Sequence, residues 1–394
     1  MQGQHKGVQR VVRDVYKNAH SLHCYAHQLN LIMQQAASQV RSVRIFFANL
    51  SAFSSFFERS PKRVGELEKI VHARMPRSSS TRWNFNSRLV NTGHEHQDSL
   101  RECFDSILDA ASTDPVTLSE ASGMVRWLND DQFLFFLSLF HKVMPHVDIL
   151  YNQLQKRKTD ASFIATALQG FLSSIRKVRG AYTVSQSYVD KVNIRKKRSG
   201  LTRDDLNQQA TEVCDIILSH AADRFEYRSH LLAAQLLVSS RFEEFHQTFP
   251  ESLLTEAVAA YPLLQKESLR TELACVYSRD DFREVVGALG LLELFREYEV
   301  TNVFPQATSL LEIVITTPMV TAESERCFST LKRIKTFQRN TMGEARLTAL
   351  GMLSMESELV KSMPDFNTKV VEKFASLKNR RGEFFYKPLP ASLR

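Results

Sequence analysis

Apolar residues recur every three or four positions through most of this chain, the spacing that gathers them on one face of an α-helix. Between 97 and about 300 the pattern predicts successive amphipathic helices, among them 100–111, 132–151, 163–178, 211–219 and 231–238, with Pro115, Pro145, Pro250 and Pro262 as breaks or kinks. Their spacing is irregular, so no solenoid repeat is evident. Helices over 41–75 carry a phenylalanine-rich face of Phe46, Phe47, Phe53, Phe56 and Phe57. Core packing is its expected role, although rings that stack on bases give the same pattern. Nearer the start, Val11, Val12, Val15 and Tyr16 suggest a helix that leaves Asp14 exposed. The stretch 20–31 reads as a short strand ending near Cys24, then a helix carrying Leu29, Ile32, Met33, Ala36 and Val40. Leu310, Leu311, Ile313, Val314 and Ile315 are β-branched enough to pass for a strand. Beyond them, Leu347, Leu350, Leu353 and Met355 form another apolar helix face, and 366–377 a last helix before a tail.

Size and composition narrow the class. With 394 residues the chain can hold two or three domains and a substantial core. Hydrophobic residues at 43% with only 13 Gly and 11 Pro describe a folded, mostly helical protein. No segment approaches the ~20 uninterrupted apolar residues of a membrane span, so no membrane partner is expected. The opening Met1-Gln2-Gly3-Gln4-His5-Lys6 lacks the apolar core of a signal peptide. Five scattered cysteines (Cys24, Cys103, Cys214, Cys275, Cys327), with no Cys-x-x-Cys, suit a reducing compartment and argue against a zinc finger. Lys plus Arg exceed Asp plus Glu by 51 to 43, a net +8 that is compatible with nucleic acid without requiring it.

Candidate chemistry is sparse. Cys24 and His27 form a Cys-x2-His pair, half of a zinc site whose second half is missing, so no metal is expected there. Arg82 and Trp83 end a polar loop over 76–84, and Trp83 reads first as a core anchor. Lys196, Lys197 and Arg198 lie in a basic stretch that suits a nuclear import signal, a phosphate contact or, most simply, a solvated loop. In the stretch 317–340, Thr321 is an N-cap candidate whose hydroxyl can accept from the first turn. Cys327, Phe328, Leu331 and Ile334 fall on one stripe, and Lys332, Arg333, Lys335 and Arg339 lie mostly off it. Glu323 and Glu325 read as first-turn acids that complement the helix dipole, worth a few tenths to ~1 kcal/mol each.

The wording of that stretch is specific. Thr321-Ala322-Glu323-Ser324-Glu325-Arg326-Cys327-Phe328-Ser329-Thr330-Leu331-Lys332-Arg333-Ile334-Lys335, continued by Asn340, Arg346-Leu347 and Ala349-Leu350, resembles the C-terminal dimerisation region of hAT-superfamily DNA transposases. Cys24-x2-His27 and Thr81-Arg82-Trp83 resemble two further hAT motifs, and the branch with zinc-finger MYM-type and TTF-type finger proteins looks nearest. The resemblance implies a mainly α chain: a large all-helical insertion domain within a partial ribonuclease H-like α/β fold. The implied division is 1–40 for a remnant of that core with its Cys-x2-His, 41–300 for the insertion, and 301–394 for the dimerisation region, with 301–316 helical.

It also implies a role for each motif. Glu325 matches the last of three metal-binding carboxylates, Cys24 and His27 act in local folding, and Trp83 matches a residue that stacks on an extruded base. Two-metal phosphodiester chemistry needs converging carboxylates, and the family's two Asp residues precede the Cys-x2-His. Before Cys24 the only acid is Asp14, on an expected helix, so Glu325 is expected to be vestigial and the chain catalytically silent, with no cofactor of its own; Mg²⁺ would belong to an intact relative. The expected protein is a nuclear, dimerising, domesticated transposase with non-specific DNA contact through Arg82, Trp83, Lys196–Arg198, Lys332, Arg333 and Lys335. Its dimer is expected to form through Phe328, Leu331, Ile334, Leu347, Leu350 and Leu353, with Leu310, Leu311 and Val314 part of the same apolar surplus. The alternative is a fragment of an active transposase whose two Asp residues are encoded upstream.

Overall fold

A computed structural model describes residues 7–16, 19–76, 83–110, 114–156, 159–183, 202–226 and 229–376. Every regular element among them is helical. The chain divides into two compact units, one through Val320 and one from Thr321.

The first unit begins with α1 (Val8–Val15), which has no buried residue. Residues 19–24 are irregular, so the strand expected before Cys24 is absent and the chain passes directly into α2 (Tyr25–Gln39). There Leu29, Ile32, Met33 and Ala36 are buried at helical spacing, as the apolar pattern requires, and Val40 is the C-cap. The Tyr25 N–H donates to Met319 O at 3.1 Å, which ties this helix to the end of the unit. Next come α3 (Arg41–Glu58) and α4 (Pro61–Val71), the latter started by the Ser60 hydroxyl accepting from Arg63 N–H, with Pro61 in the first turn. After it come α5 (Trp83–Glu95), α6 (Gln97–Asp109) and α7 (Pro115–Leu128), where Asp114 caps and Pro115 opens the helix. Pro115 therefore starts a helix rather than interrupting one.

The central element is α8 (Asp131–Leu154), capped by Asp130 and packed against α2, α3, α5 and α7. Pro145 lies inside it and does not end it. By length and hydropathy α8 is the one described helix that would pass for a membrane span, yet its Phe136, Phe140, Val143 and Met144 are buried in protein. The phenylalanines of α3 meet it there. Phe46 stacks on Phe140 with ring centroids 5.8 Å apart, Phe47 packs edge-on against Phe140 at 4.6 Å, and Phe53 bridges Phe104 and Phe133. Such ring pairs add about 0.5–1.5 kcal/mol each beyond their burial, and the face is thereby core.

Flanking this are α9 (Ala161–Thr183) and α10 (Arg203–Phe225), the second begun by a reciprocal capping box between Thr202 and Asp205. The segment expected as a helix over 231–238 is a 3-10 helix, Ser229–Leu237, whose tighter turn leaves Leu236 and Leu237 buried. Short elements complete the unit: α11 (Phe242–Gln247), α12 (Glu251–Ala260), α13 (Lys266–Tyr277), α14 (Asp280–Arg283), α15 (Gly287–Glu297) and α16 (Pro305–Thr316). Pro250 is the N-cap of α12, and Pro262 stands in the turn after it. The β-branched run at 310–315 is helical in α16, with Leu310, Leu311 and Val314 buried inside this unit. These three belong to a core already complete, which removes them from any apolar surplus.

The second unit holds α17 (Ala322–Ile334), a 3-10 turn (Phe337–Arg339), α18 (Glu344–Met355), α19 (Ser357–Ser362) and α20 (Phe366–Ser376). Its helices α17 and α18 pack together, and Thr330 and Gly351 are the residues it buries most. A methyl group on Gly351 would stand 3.4 Å from Leu331 Cδ2, so the glycine allows the close approach of the two helices.

Candidate functional site

The stretch with the most specific wording builds α17 and the 3-10 turn after it. Thr321 stands at the N-cap, but its hydroxyl donates to Glu325 Oε1 at 3.2 Å instead of accepting from the first turn; its backbone carbonyl accepts the Glu325 N–H at 2.9 Å. Glu323 pairs with Arg326 at 2.6 Å across one turn. Both acids lie in the first turn, as dipole complementarity favours. Past Ile334 the helix stops, and Lys335 N–H closes the last turn on Leu331 O at 2.8 Å.

The expected stripe is only partly buried. Cys327, Leu331 and Ile334 are half-buried, whereas Phe328 is 70% exposed, a correction to its place in that stripe. Leu347 and Leu350 are half-buried, and Leu353 is 47% exposed. Met352, Leu359 and Phe337, none of them singled out from the sequence, are exposed too, Phe337 to 92%. A two-helix pair cannot wrap all of its apolar side chains, and this one turns several outward.

The remaining candidates are dispersed. Cys24 is half-buried at the N-cap of α2 and His27 is exposed on its first turn. Trp83, 4% exposed, sits edge-on to Phe47 at 5.1 Å, and its backbone N–H donates to Asn30 Oδ1 at 3.1 Å. Lys332, Arg333 and Lys335 are exposed, with Arg333 donating to Thr330 Oγ1 at 3.2 Å. Asp14 and Glu325 are exposed. Among the described residues no three His, Cys, Asp or Glu side chains gather into a metal-holding group. Arg82, Lys196, Lys197 and Arg198 lie outside the described residues.

With this geometry in view, the comparison with known families is decisive for one segment. Residues 276–359 match the hAT family C-terminal dimerisation region. The match supports membership of the hAT family.

The hAT region begins at the end of α13, runs through α14–α16 in the first unit, and continues through α17 and α18 into α19. Its first part is fastened by a junction that sequence reasoning missed. Asp160, 2% exposed, accepts from Ser162 N–H (2.9 Å), Ser162 Oγ (2.6 Å) and Phe163 N–H (2.9 Å) at the start of α9, and from Leu289 N–H (3.0 Å) at the start of α15. Ser162 Oγ in turn accepts from Ala288 N–H at 2.8 Å. One carboxylate thus satisfies the orphan donors of two helices. Gly287 makes room for it: φ is +84°, and a Cβ there would stand 2.9 Å from Asp160 Oδ2. The only sequence signal was Asp-x-Ser before an apolar helix and an isolated Gly 127 positions on, too far apart to pair without the fold. The second part of the hAT region carries exposed Phe328, Phe337, Met352, Leu353 and Leu359.

Proposed function

We propose that this chain is a transposase-derived protein that works by self-association, with the second unit as the contact surface and a second copy of the chain as its occupant. The observation that carries the reading is the coincidence of the dimerisation-region match with Phe328, Leu353 and Leu359 turned outward. Covering a Leu or Phe side chain is worth about 1.5–3 kcal/mol, and a two-fold contact lets one face cover its own equivalent. The test is sedimentation equilibrium. A dimer is expected at micromolar concentration, and Phe328→Asp combined with Leu353→Asp should yield a monomer with unchanged helical circular dichroism. A native protein that sediments as a monomer at ~10 μM rules the reading out. Charge at half-buried Leu347 and Leu350 would test the fold of the unit together with the contact, so the exposed pair reads the contact more directly.

The finer parts of the reading build on it. The helices of the first unit are read as an insertion domain of a ribonuclease H-like transposase, in the branch with zinc-finger MYM-type proteins. Glu325 is read as the vestige of a carboxylate set. What supports silence is that no three His, Cys, Asp or Glu side chains gather into a metal-holding group among the described residues, since two divalent ions need several converging carboxylates. Incubation with Mg²⁺ or Mn²⁺ and DNA carrying an hAT end should leave the DNA intact; nicking that vanishes in Glu325→Gln would restore the enzyme. Exposed Lys332, Arg333 and Lys335 are read as a non-specific DNA contact, which should weaken linearly in log–log form as salt rises. Binding that ignores salt would remove DNA from the reading. The compartment proposed is the nucleus, a reducing environment that suits cysteines not joined in disulfides; a fluorescent fusion that stays cytoplasmic excludes it.

A further inference from the structure

We propose that Thr336 is a phosphorylation site for an arginine-directed serine/threonine kinase, one whose substrate groove is lined with acidic side chains. Thr336 lies in the break between α17 and the 3-10 turn Phe337–Arg339, with φ −88° and ψ 170°. That is extended backbone, the form a chain must take to lie in a groove, and it is already present at the acceptor. The Thr336 side chain is exposed and caps nothing; only its carbonyl is used, accepting Arg339 N–H at 2.9 Å.

The surroundings fit one class of enzyme. Cations stand on both sides of the acceptor: Lys332, Arg333 and Lys335 at four, three and one residues before it, and Arg339 three after it, all exposed. No acid interrupts the run from Lys332 to Met342. Acidic pockets on either side of a kinase active centre recognise this arrangement by charge pattern, as kinase–substrate pairs do. Phe337 is the next residue and the most exposed aromatic side chain described, free to enter an apolar pocket next to the transfer point. Of the cations, Arg333 also donates to Thr330 Oγ1 at 3.2 Å.

Ser329 provides an internal contrast. Arg326 stands three residues before it, so its sequence is also arginine-directed, but it lies in mid-helix within α17, beside buried Thr330. Reaching it requires melting the centre of α17, whereas Thr336 requires opening only the last turn, where helix ends fray at little cost. In the transfer step, the Thr336 hydroxyl proton passes to the kinase's catalytic Asp as Oγ1 bonds to the γ-phosphorus of Mg²⁺-bound ATP. The bond from that phosphorus to the β,γ-bridging oxygen breaks, and ADP leaves. The product carries about −1.5 to −2 charge at neutral pH within reach of four cations, and so cancels about half of the patch.

The experiment uses the full chain with the catalytic domain of protein kinase C, Mg²⁺ and ATP, a control peptide substrate in the same reaction, and site-resolved mass spectrometry. Phosphate is expected on Thr336 and absent from Ser329. Thr336→Val should lose that site alone, while the control peptide is labelled unchanged. Arg333→Ala and Arg339→Ala should each lower the initial rate at Thr336 at least tenfold without altering circular dichroism. Labelled control peptide with Thr336 unmodified overturns the proposal, as does phosphate on Ser329 at an equal rate.

Discussion

The two units solve the same problem of apolar burial in opposite ways. The first surrounds α8 with helices until Phe136, Phe140, Leu139 and Val143 are wholly inaccessible, and its phenylalanines contact one another in edge-on and stacked pairs. The second has helices of similar amphipathic wording but buries almost nothing beyond Thr330 and Gly351. Amphipathicity alone does not decide whether a face is core or contact. The number of neighbouring helices does, because a long helix can be fully enclosed only by several others, and a short four-helix stretch supplies too few. The difference teaches that one unit's side chains carry its own stability, and that the other's are left open to carry the association proposed above.

The sharpest way to break that contrast is truncation of one phenylalanine in each unit. Phe140→Ala should destabilise the first unit by ~3–5 kcal/mol, the usual cost of emptying a buried aromatic site. Phe328→Ala should change the unfolding free energy of a monomeric background by less than ~0.5 kcal/mol, as exposed positions do, while weakening the dimer. Urea titrations of both variants, monitored by far-ultraviolet circular dichroism and sedimentation, give the two quantities. Equal effects on unfolding would erase the distinction between core and contact.

A comparable effect is expected where the hAT region joins the rest of the first unit. Asp160→Ala strands the N–H groups of Ser162, Phe163 and Leu289, each costing about 1–3 kcal/mol when left unpaired. Gly287→Ala adds a strained left-handed residue and pushes its methyl onto Asp160, for ~1–3 kcal/mol. The two should be less than additive, since both damage one junction. Full additivity in a double-mutant cycle would mean that Gly287 is not there to seat the carboxylate.

Much of the architecture was legible before any coordinates. The periodicity located the long helices, although Pro115, expected to interrupt one, opens α7, and the capping box of Thr202 and Asp205 starts α10 earlier than the apolar pattern did. Three features were not. Leu310, Leu311 and Val314 looked like surplus because periodicity reports an apolar face and not what covers it. The irregular run at 19–24 passed for a strand because a few alternating residues resemble half a hairpin. Asp160 and Gly287 act together over a separation that no local pattern encodes. Of the candidate residues, the placement of Phe328 and Leu353 outward could not be separated, from sequence, from a place in a core.

The seam between α5 and α8 gives a weaker, pH-dependent test of the first unit. Burial raises the Asp148 carboxyl above its ordinary value, while a hydrogen bond from the Ser87 hydroxyl and the charge of Arg88 act the other way. The native state therefore holds this proton more tightly than the unfolded chain, and ionisation works against folding once pH exceeds the raised value. Asp148→Asn removes that titration. Its stability relative to the native protein should be greatest and constant at neutral pH, decline as pH falls through the raised value, and level off below about 3.9, the ordinary Asp value. A difference that stays flat from pH 7 to pH 3 would place Asp148 effectively in water.

The smallest effect concerns thiol reactivity. Burial pushes the Cys103 and Cys214 thiols up to about 12, with neighbouring acids adding to it. Only roughly 10⁻⁴ of each is thiolate at pH 8, and the thiolate is the reactive form. Both are also wholly enclosed, so neither should react with an aromatic disulfide reagent without unfolding. Cys275 is exposed and should react at a rate independent of protein concentration. Cys327 is half-buried and adjoins Phe328 on α17, so covering that face should slow it. Over the concentration range in which sedimentation reports dimer formation, the Cys327 rate should fall a few-fold, as about 70–90% occupancy of a shielding contact would produce, while that of Cys275 holds steady. In Phe328→Asp, Leu353→Asp the concentration dependence should vanish. A native protein that doubles its mass without slowing Cys327 would put the contact on another surface.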